Sequence, residues 1–389
     1  MSAQTLAKGL TAILGRIRPR LLRSLASLAL IDRRHLACAL STADGQLVAI
    51  DNPARLGILG AVTRSVLAYF GDTLAEGDIV LTNDPFSGGS HVQDAALVKP
   101  LFAAGRHLGY ATFQVPLADI GGNALGGYFP RALEIWAEGV RVTPIRLYRG
   151  GVLQRDALTM LTLNSRLPHL IEKDLELLVA ALETCQNEVA ALAAQYSSGA
   201  YTQALHDILA DTEGLVRAEF GKIAPGEWQT ESGPVHSCLE DDECRVALRL
   251  SLADGTLRLD FSGSSATAKG FVNSTPATTT AAALLPLTAL RPALPANDGL
   301  LRPVSVVIPE HSFLYATLPM SVGWSPYQPS LAVAQAVSGA LHQARAGQIP
   351  ATRMAAAFTP PALPFRISGC GRPGCPFPAE MSAGLSQQT

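Results

Sequence analysis

This chain is short of charge. Only 16% of its 389 residues are Asp, Glu, Lys or Arg, while 48% are apolar. Lys and Arg number 30 against 32 Asp and Glu, a formal net charge of −2. With no Lys/Arg block to build a field, nucleic acid and anionic membranes are excluded as main partners. Long hydrophobic runs are missing too, since no stretch reaches the ~18–20 apolar residues that a membrane span needs. The nearest, residues 277–290, is short and threonine-rich and predicts a buried helix. Cysteines are few: Cys38, Cys185, Cys238, Cys244, Cys370 and Cys375 are scattered along a chain with no secretory signal. They predict reduced thiols and a cytoplasmic location. Cys370 and Cys375 have no second pair nearby, which makes a poor zinc spacing.

Several catalytic signatures are also missing. No Gly-Lys-Ser/Thr follows either glycine pair and no dinucleotide fingerprint occurs, so the chain shows no sign of binding ATP itself. Gly323-Trp324-Ser325-Pro326 is not a nucleophile elbow, and no cysteine has a His partner close in sequence.

What is present predicts an α+β fold: mixed sheets with long functional loops, a central helical segment and a second β-rich segment. Length suits two or three domains. The expected divisions are an N-terminal α+β segment carrying the site loops over 1–160, a helical segment over 161–224, a second β-rich segment over 225–345, and an irregular tail over 346–389. Arg16, Arg18, Arg20 and Arg23 lie among Leu and Ala at helical spacing, which favours an amphipathic helix over a transit peptide. Asp44-Gly45 between two apolar runs predicts a hairpin over 36–50, and a helix follows over 57–70. Strands are expected near 78–82, 95–102, 107–115 and 140–147. Helices fill 168–220 with a break at Ser197-Ser198-Gly199, ended by Pro225-Gly226. A second hairpin is centred on Asp254-Gly255, and 304–308 is a further strand. The tail over 346–389 loses all period, as a flexible end or a change of reading frame near Gly347 would produce.

The stretch Asn83-Asp84-Pro85-Phe86-Ser87-Gly88-Gly89-Ser90-His91-Val92-Gln93-Asp94 carries most of the functional signal. A strand breaks there into two turns, and a His and an Asp three residues apart follow. Loops on a rigid scaffold are where chemistry concentrates. Asp119, beside Gly121-Gly122, supplies a second carboxylate. His91, Asp94 and Asp119 could ligate a divalent transition metal, with imidazole plus carboxylates suiting Mn, Fe or Zn. Such a set would activate water or polarise a carbonyl. Asp84 could act in acid/base chemistry, and Asn83 could position substrate. Gly88-Gly89 and Gly121-Gly122 could let backbone approach a ligand closely. The same residues also suit structural duty, as Asx turns and loop hydrogen bonds. The charges at Arg131, Glu134, Glu138 and Arg141 predict a solvated or paired face. Asp260, just after the second hairpin, could border the pocket.

Taken together these stretches resemble the hydantoinase B/oxoprolinase family. The matching pieces include Asp32-Arg33-Arg34 with Cys38-Ala39-Leu40, the 83–94 loop, Ala118-Asp119-Ile120-Gly121-Gly122, Glu138-Gly139-Val140-Arg141, Asn164-Ser165-Arg166 and Asp260-Phe261-Ser262-Gly263-Ser264. The collinear match runs over about 25–340. The resemblance implies a B-type subunit of an ATP-dependent amidohydrolase, which opens a cyclic amide such as a hydantoin or 5-oxoproline. ATP would be bound by an A-type partner subunit, which phosphorylates the substrate. Ketone carboxylase subunits belong to the same family, and a non-catalytic assembly subunit is the remaining alternative. The resemblance also implies a metal with His and Asp ligands, mapping onto His91, Asp94 and Asp119.

The departures bear on that site. Pro116 and Leu117 stand where the family shows a His-His pair, and Arg55 stands in Pro53-Ala54-Arg55-Leu56-Gly57 where a His is expected. His35 takes the place of an Asp after the paired arginines, and 322–327 departs from an Asn-Val-Glu-Thr-like pattern. Fewer ligands means weaker metal binding, so the departures point to a diverged, metal-poor relative or to a truncated copy.

Overall fold

A computed structural model of the chain describes residues 2–239, 243–291 and 293–345. The 346–389 tail, with Cys370 and Cys375, lies outside the described residues. The fold is α+β, as the sequence predicts, with one antiparallel and one mixed sheet.

The first sheet is built from β1 (Ala37–Ser41), β2 (Leu47–Ile50), β3 (Ile79–Thr82), β4 (Asp94–Ala103), β5 (Arg106–Pro116), β6 (Ile145–Arg149) and β7 (Val152–Leu153), in the order β2-β1-β5-β4-β3-β6-β7. Every neighbouring pair is antiparallel. The Asp-Gly turn makes the β1–β2 hairpin. The strand expected near 140–147 begins instead at Ile145. Residues 140–142 are pinned outside the ladder by Asn83, whose amide donates to Val140 O and whose Oδ1 accepts from Val142 N–H.

Helix α1 (Ala3–Ser24) is capped by Ser2, whose side chain accepts from Thr5 N–H, and buries Leu6, Leu10, Ile13, Leu14, Ile17 and Leu21. That spacing is one apolar stripe on a helix, and each buried Leu or Ile contributes roughly 1.5–3 kcal/mol. The stripe packs on α5 (Pro168–Ala193) and α6 (Ser198–Phe220), and α5 in turn covers β4 and β5. The short α2 (Ser27–Leu30) is fixed by Asp174 of α5, which accepts from Ala26 and Ser27 N–H at 2.8 and 2.7 Å. Helix α3 (Leu56–Phe70) packs against β5 and against α7 (Pro276–Leu284), the buried helix expected near 277–290. Helix α4 (Arg155–Thr162) joins β7 to α5.

The second sheet runs β11-β10-β9-β8 from β8 (Gly226–His236), β9 (Glu243–Ala253), β10 (Thr256–Asp260) and β11 (Val304–Val307), with β10 and β11 parallel. Burial alternates strictly along β9, as one covered face requires. The cover is α8 (Gln328–Ala344), a helix that the sequence reading did not identify. Cys38, Cys185, Cys238 and Cys244 are all buried. No described helix is long and apolar enough to cross a membrane.

Candidate functional site

The first sheet ends where β3 stops, β4 and β1 begin and β5 finishes, and its loops converge there. Asp94 opens β4 opposite Pro116 of β5. The short helical turn Arg33–His35 runs into β1 and is tied to β5 by Gln114, whose amide donates to His35 O at 3.1 Å. This places His35 against the 90–94 loop. His35, His91 and Asp94 each offer a ligand atom within 4.8 Å of the others, and all three are buried.

The carboxylate of Asp94 is the hub. Its Oδ1 lies 3.1 Å from His35 Nδ1, and its Oδ2 lies 3.2 Å from His91 Nδ1 and 3.4 Å from Arg55 Nη1. The Ser90 hydroxyl donates to the same Oδ2. Burial works to raise the Asp94 carboxyl, but His35, His91 and Arg55 outweigh it and hold it well below the usual range. Burial and then the Arg55 charge push His35 down to about 4, so its imidazole is neutral at pH 7. On its far side His35 Nε2 faces Asp32 Oδ2 at 3.8 Å, and Asp32 is clasped by Arg34 through two nearly parallel N–H···O bonds.

A file of hydrogen bonds leaves the hub. His91 Nε2 lies 3.3 Å from the Tyr128 hydroxyl, which lies 2.8 Å from the Tyr327 hydroxyl. Burial pushes both phenols above their usual value, so both stay protonated. The Tyr327 ring stacks on His35 with centroids 5.2 Å apart.

The remaining residues proposed from sequence are placed elsewhere. Asp84 caps the turn Pro85–Ser87, accepting from Phe86 N–H and Ser87 Oγ, and its Oδ2 accepts from Arg141 Nη1 at 2.9 Å. Asn83 spends its amide on Val92 O, Val140 O and Val142 N–H. Gly88 has φ +95°, and Gly89 N–H donates to Asp84 O. Asp119 is held by Arg166, whose Nη2 reaches Oδ1 at 2.8 Å, and by Ser165 Oγ. It is not one of the three side chains gathered at the hub. Gly121 and Gly122 give their carbonyls to Arg166 and line a cavity of about 710 Å³ together with Trp136, Gly139, Val140, Arg141, Asn164 and Arg166. Asp84 and Asp119 therefore pair with the two arginines of that cavity rather than with the imidazoles. Asp260 borders a different cavity, on the second sheet, with Arg249 and Glu231.

Glu138 corrects the sequence reading outright. It was expected on a solvated or paired face, yet it is completely buried, with Oε1 accepting from the backbone of Val322 and Gly323. Sequence reasoning also passed over His35, Arg55, Tyr128 and Tyr327 as members of the site. His35 and Arg55 stood out there only as departures from a pattern.

By spacing alone, His35, His91 and Asp94 could hold a metal ion. Their charge environment opposes it. Arg55 places a permanent cation on the same carboxylate oxygen that an ion would need, at a point closed to water. As arranged here, these residues do not fit a resident divalent cation.

An α+β chain with a buried imidazole–carboxylate hub, carried on loops at one end of an antiparallel sheet, is the class of protein that these features define. The chain belongs to the Hydantoinase B/oxoprolinase family, whose model matches residues 1–361. It is 29% identical over 308 residues to 5-oxoprolinase 1 of Arabidopsis thaliana, covering 73% of this chain and 24% of that one. It is 39% identical over 125 residues to the caprolactamase subunit beta of Pseudomonas jessenii, covering 32% of this chain and 22% of that one. The crystal structure of the ATP-dependent caprolactamase from Pseudomonas jessenii superposes with a TM-score of 0.81 at 25% identity, over 88% of this chain and 60% of that one. The chain thus spans less than two thirds of each of these relatives.

Proposed function

We propose that this protein is the B-type subunit of an ATP-dependent amidohydrolase that opens cyclic amides, working with an A-type subunit that binds ATP. One observation carries the reading: the backbone follows that of an ATP-dependent caprolactamase over 88% of the chain. In this reading the partner activates the amide oxygen and this chain serves the attack of water on the activated carbon. That attack requires removal of a proton. His91, held beside Asp94, is the base in this reading, and because the hub is closed to water Tyr327 and Tyr128 would hand the proton inward to its Nε2. Arg141 and Arg166, steadied by Asp84 and Asp119, present guanidinium groups to a ring docked in the 710 Å³ cavity beside Trp136.

A second reading, a non-catalytic assembly subunit, is favoured by the sealed hub, where His91 is fully buried and Asp94 is paired with Arg55. The two separate in one experiment. The chain is co-purified with an A-type subunit and assayed with ATP on hydantoin, 5-oxoproline, caprolactam and small ketones. ATP-dependent opening of a cyclic amide supports the first reading, and consumption of a ketone would instead indicate a carboxylase. A stable complex inactive on every substrate, and unaltered by His91→Ala, supports the second.

A further inference from the structure

We propose that in this protein the Arg55 guanidinium replaces a bound divalent cation as the counter-charge of Asp94, so that the His35–His91–Asp94 cluster is metal-free. Three observations converge on this. The first is hydrogen-bond capacity. An ionised carboxylate has about four lone-pair sites, two on each oxygen. Oδ2 of Asp94 is crowded by Ser90 Oγ, His91 Nδ1 and Arg55 Nη1, and His35 Nδ1 takes one of the two sites on Oδ1. A metal would find one lone pair of Asp94 at most. Because a carboxylate only accepts, both Nδ1 atoms facing it carry hydrogen, and neither imidazole turns a lone pair toward the centre.

The second is charge. Around the cluster two carboxylates, Asp94 and Asp32, stand against two guanidiniums, Arg55 and Arg34. These four charges cancel. A divalent ion would add two uncompensated charges at a site where the Asp94 and His91 side chains have no solvent exposure. Desolvated charge without a counter-ion is strongly disfavoured.

The third is space. The cavity beside the cluster, lined by Arg34, Ala54, Arg55, Ile58, Thr278 and their neighbours, measures only about 20 Å³. That is room for about one water molecule, so Arg55 has nowhere to withdraw without opening the packing around α3 and α7.

The test uses the full chain, expressed with manganese, iron and zinc supplied and purified without chelator. Metal content is read by plasma mass spectrometry, and zinc binding by equilibrium dialysis and thermal melting. Wild type is expected to hold far less than a stoichiometric amount of any transition metal, and added zinc should leave its Tm unchanged. Arg55→Gln frees a lone pair on Asp94 and removes the competing charge, so this variant should bind zinc stoichiometrically and gain Tm when zinc is added. Arg55→Lys, which keeps a cation, should stay metal-free, and it decides the matter if the glutamine variant fails to fold. A stoichiometric metal in wild type that is lost in His91→Ala would overturn the proposal, as would metal loading of Arg55→Lys. Metal content is read without turnover, so failure here leaves the amidohydrolase reading standing, and the reverse holds equally.

Discussion

Glu138 accepts a 2.7 Å hydrogen bond from the backbone N–H of Gly323, a residue 185 positions further along the chain. Val322 N–H donates to the same Oε1 at 2.9 Å. Together they fasten the loop before β6 to the segment that leads into α8. Oε2 has no partner among the described residues. Burial, only partly offset by the backbone donors, pushes the carboxyl up from its usual 4.5 to about 8. Between those values the unfolded chain is ionised at this position while the folded chain keeps its proton. The contribution of Glu138 to stability is therefore greatest below about pH 4.5, falls as pH rises through the window, and levels off above about 8. Glu138→Gln removes the ionisation. Relative to wild type it should gain roughly 1 kcal/mol per pH unit across that window. Urea unfolding of both proteins at several pH values checks this, and a difference independent of pH would contradict it.

The history of Glu138 shows what a sequence can carry. Its neighbours Arg131, Glu134 and Arg141 look like an ordinary charged face, and nothing local reveals two backbone donors nearly two hundred residues away. The hairpins at Asp44-Gly45 and Asp254-Gly255 were legible because turn chemistry lies within four residues. Helices α1, α3, α5 and α6 were legible from their period. His91 and Asp94 stand three apart, so their contact is also local. His35 meets Asp94 across 59 positions and Tyr128 meets Tyr327 across 199. The sheet sets the starts of β1 and β4 on either side of the end of β5, which brings His35 to Asp94, while Tyr128 and Tyr327 meet through loops far apart in sequence.

Asp119 should act on stability through Arg166. The pair is bonded at two nitrogens, and Arg166 also holds the carbonyls of Gly121, Gly122 and Ala124. The Arg166 side chain is 44% exposed, so solvent screens part of the attraction. Asp119→Ala and Arg166→Ala should each cost roughly 1–3 kcal/mol. The double variant should cost less than the sum of the two, because the side-chain pair is shared, while the Ser165 and backbone bonds of Asp119 and the carbonyl bonds of Arg166 are lost separately. Chemical denaturation of the four proteins reads the coupling, and additive losses would show that Asp119 acts independently of Arg166.

Gly88 combines two demands that can be pulled apart. Its φ of +95° is a conformation that L side chains rarely adopt, and a Cβ there would lie 2.6 Å from the backbone of Ala61 in α3. Gly105 also has positive φ, at +73°, but a Cβ there meets nothing within 4 Å. Gly105→Ala should therefore cost about 1 kcal/mol, from backbone strain alone. Gly88→Ala should cost about 1–3 kcal/mol more, because α3 or the loop must move. Equal losses in thermal unfolding would mean that the loop yields freely at Gly88.

The direction of the hydrogen bonds through the tyrosines follows from Asp94. The Ser90 hydroxyl gives its hydrogen to Asp94, so it accepts from His91 Nδ1 at 3.3 Å; with hydrogen on Nδ1 alone, Nε2 is an acceptor. Tyr128 must then donate its hydroxyl hydrogen to His91 Nε2, and Tyr327 must donate to the Tyr128 oxygen. The two tyrosines are thus unequal. Tyr128→Phe strands a buried imidazole nitrogen and a buried Tyr327 hydroxyl together, at a cost of roughly 2–4 kcal/mol. Tyr327→Phe removes a donor and leaves only a spare lone pair on Tyr128, at a cost of about 1 kcal/mol or less. Urea unfolding should rank Tyr128→Phe well below Tyr327→Phe in stability. If the ranking reverses, the hydrogens run the other way, with His91 protonated on Nε2 and Nδ1 bare. That arrangement would set a lone pair against Asp94 and would require a proton or a cation between the two.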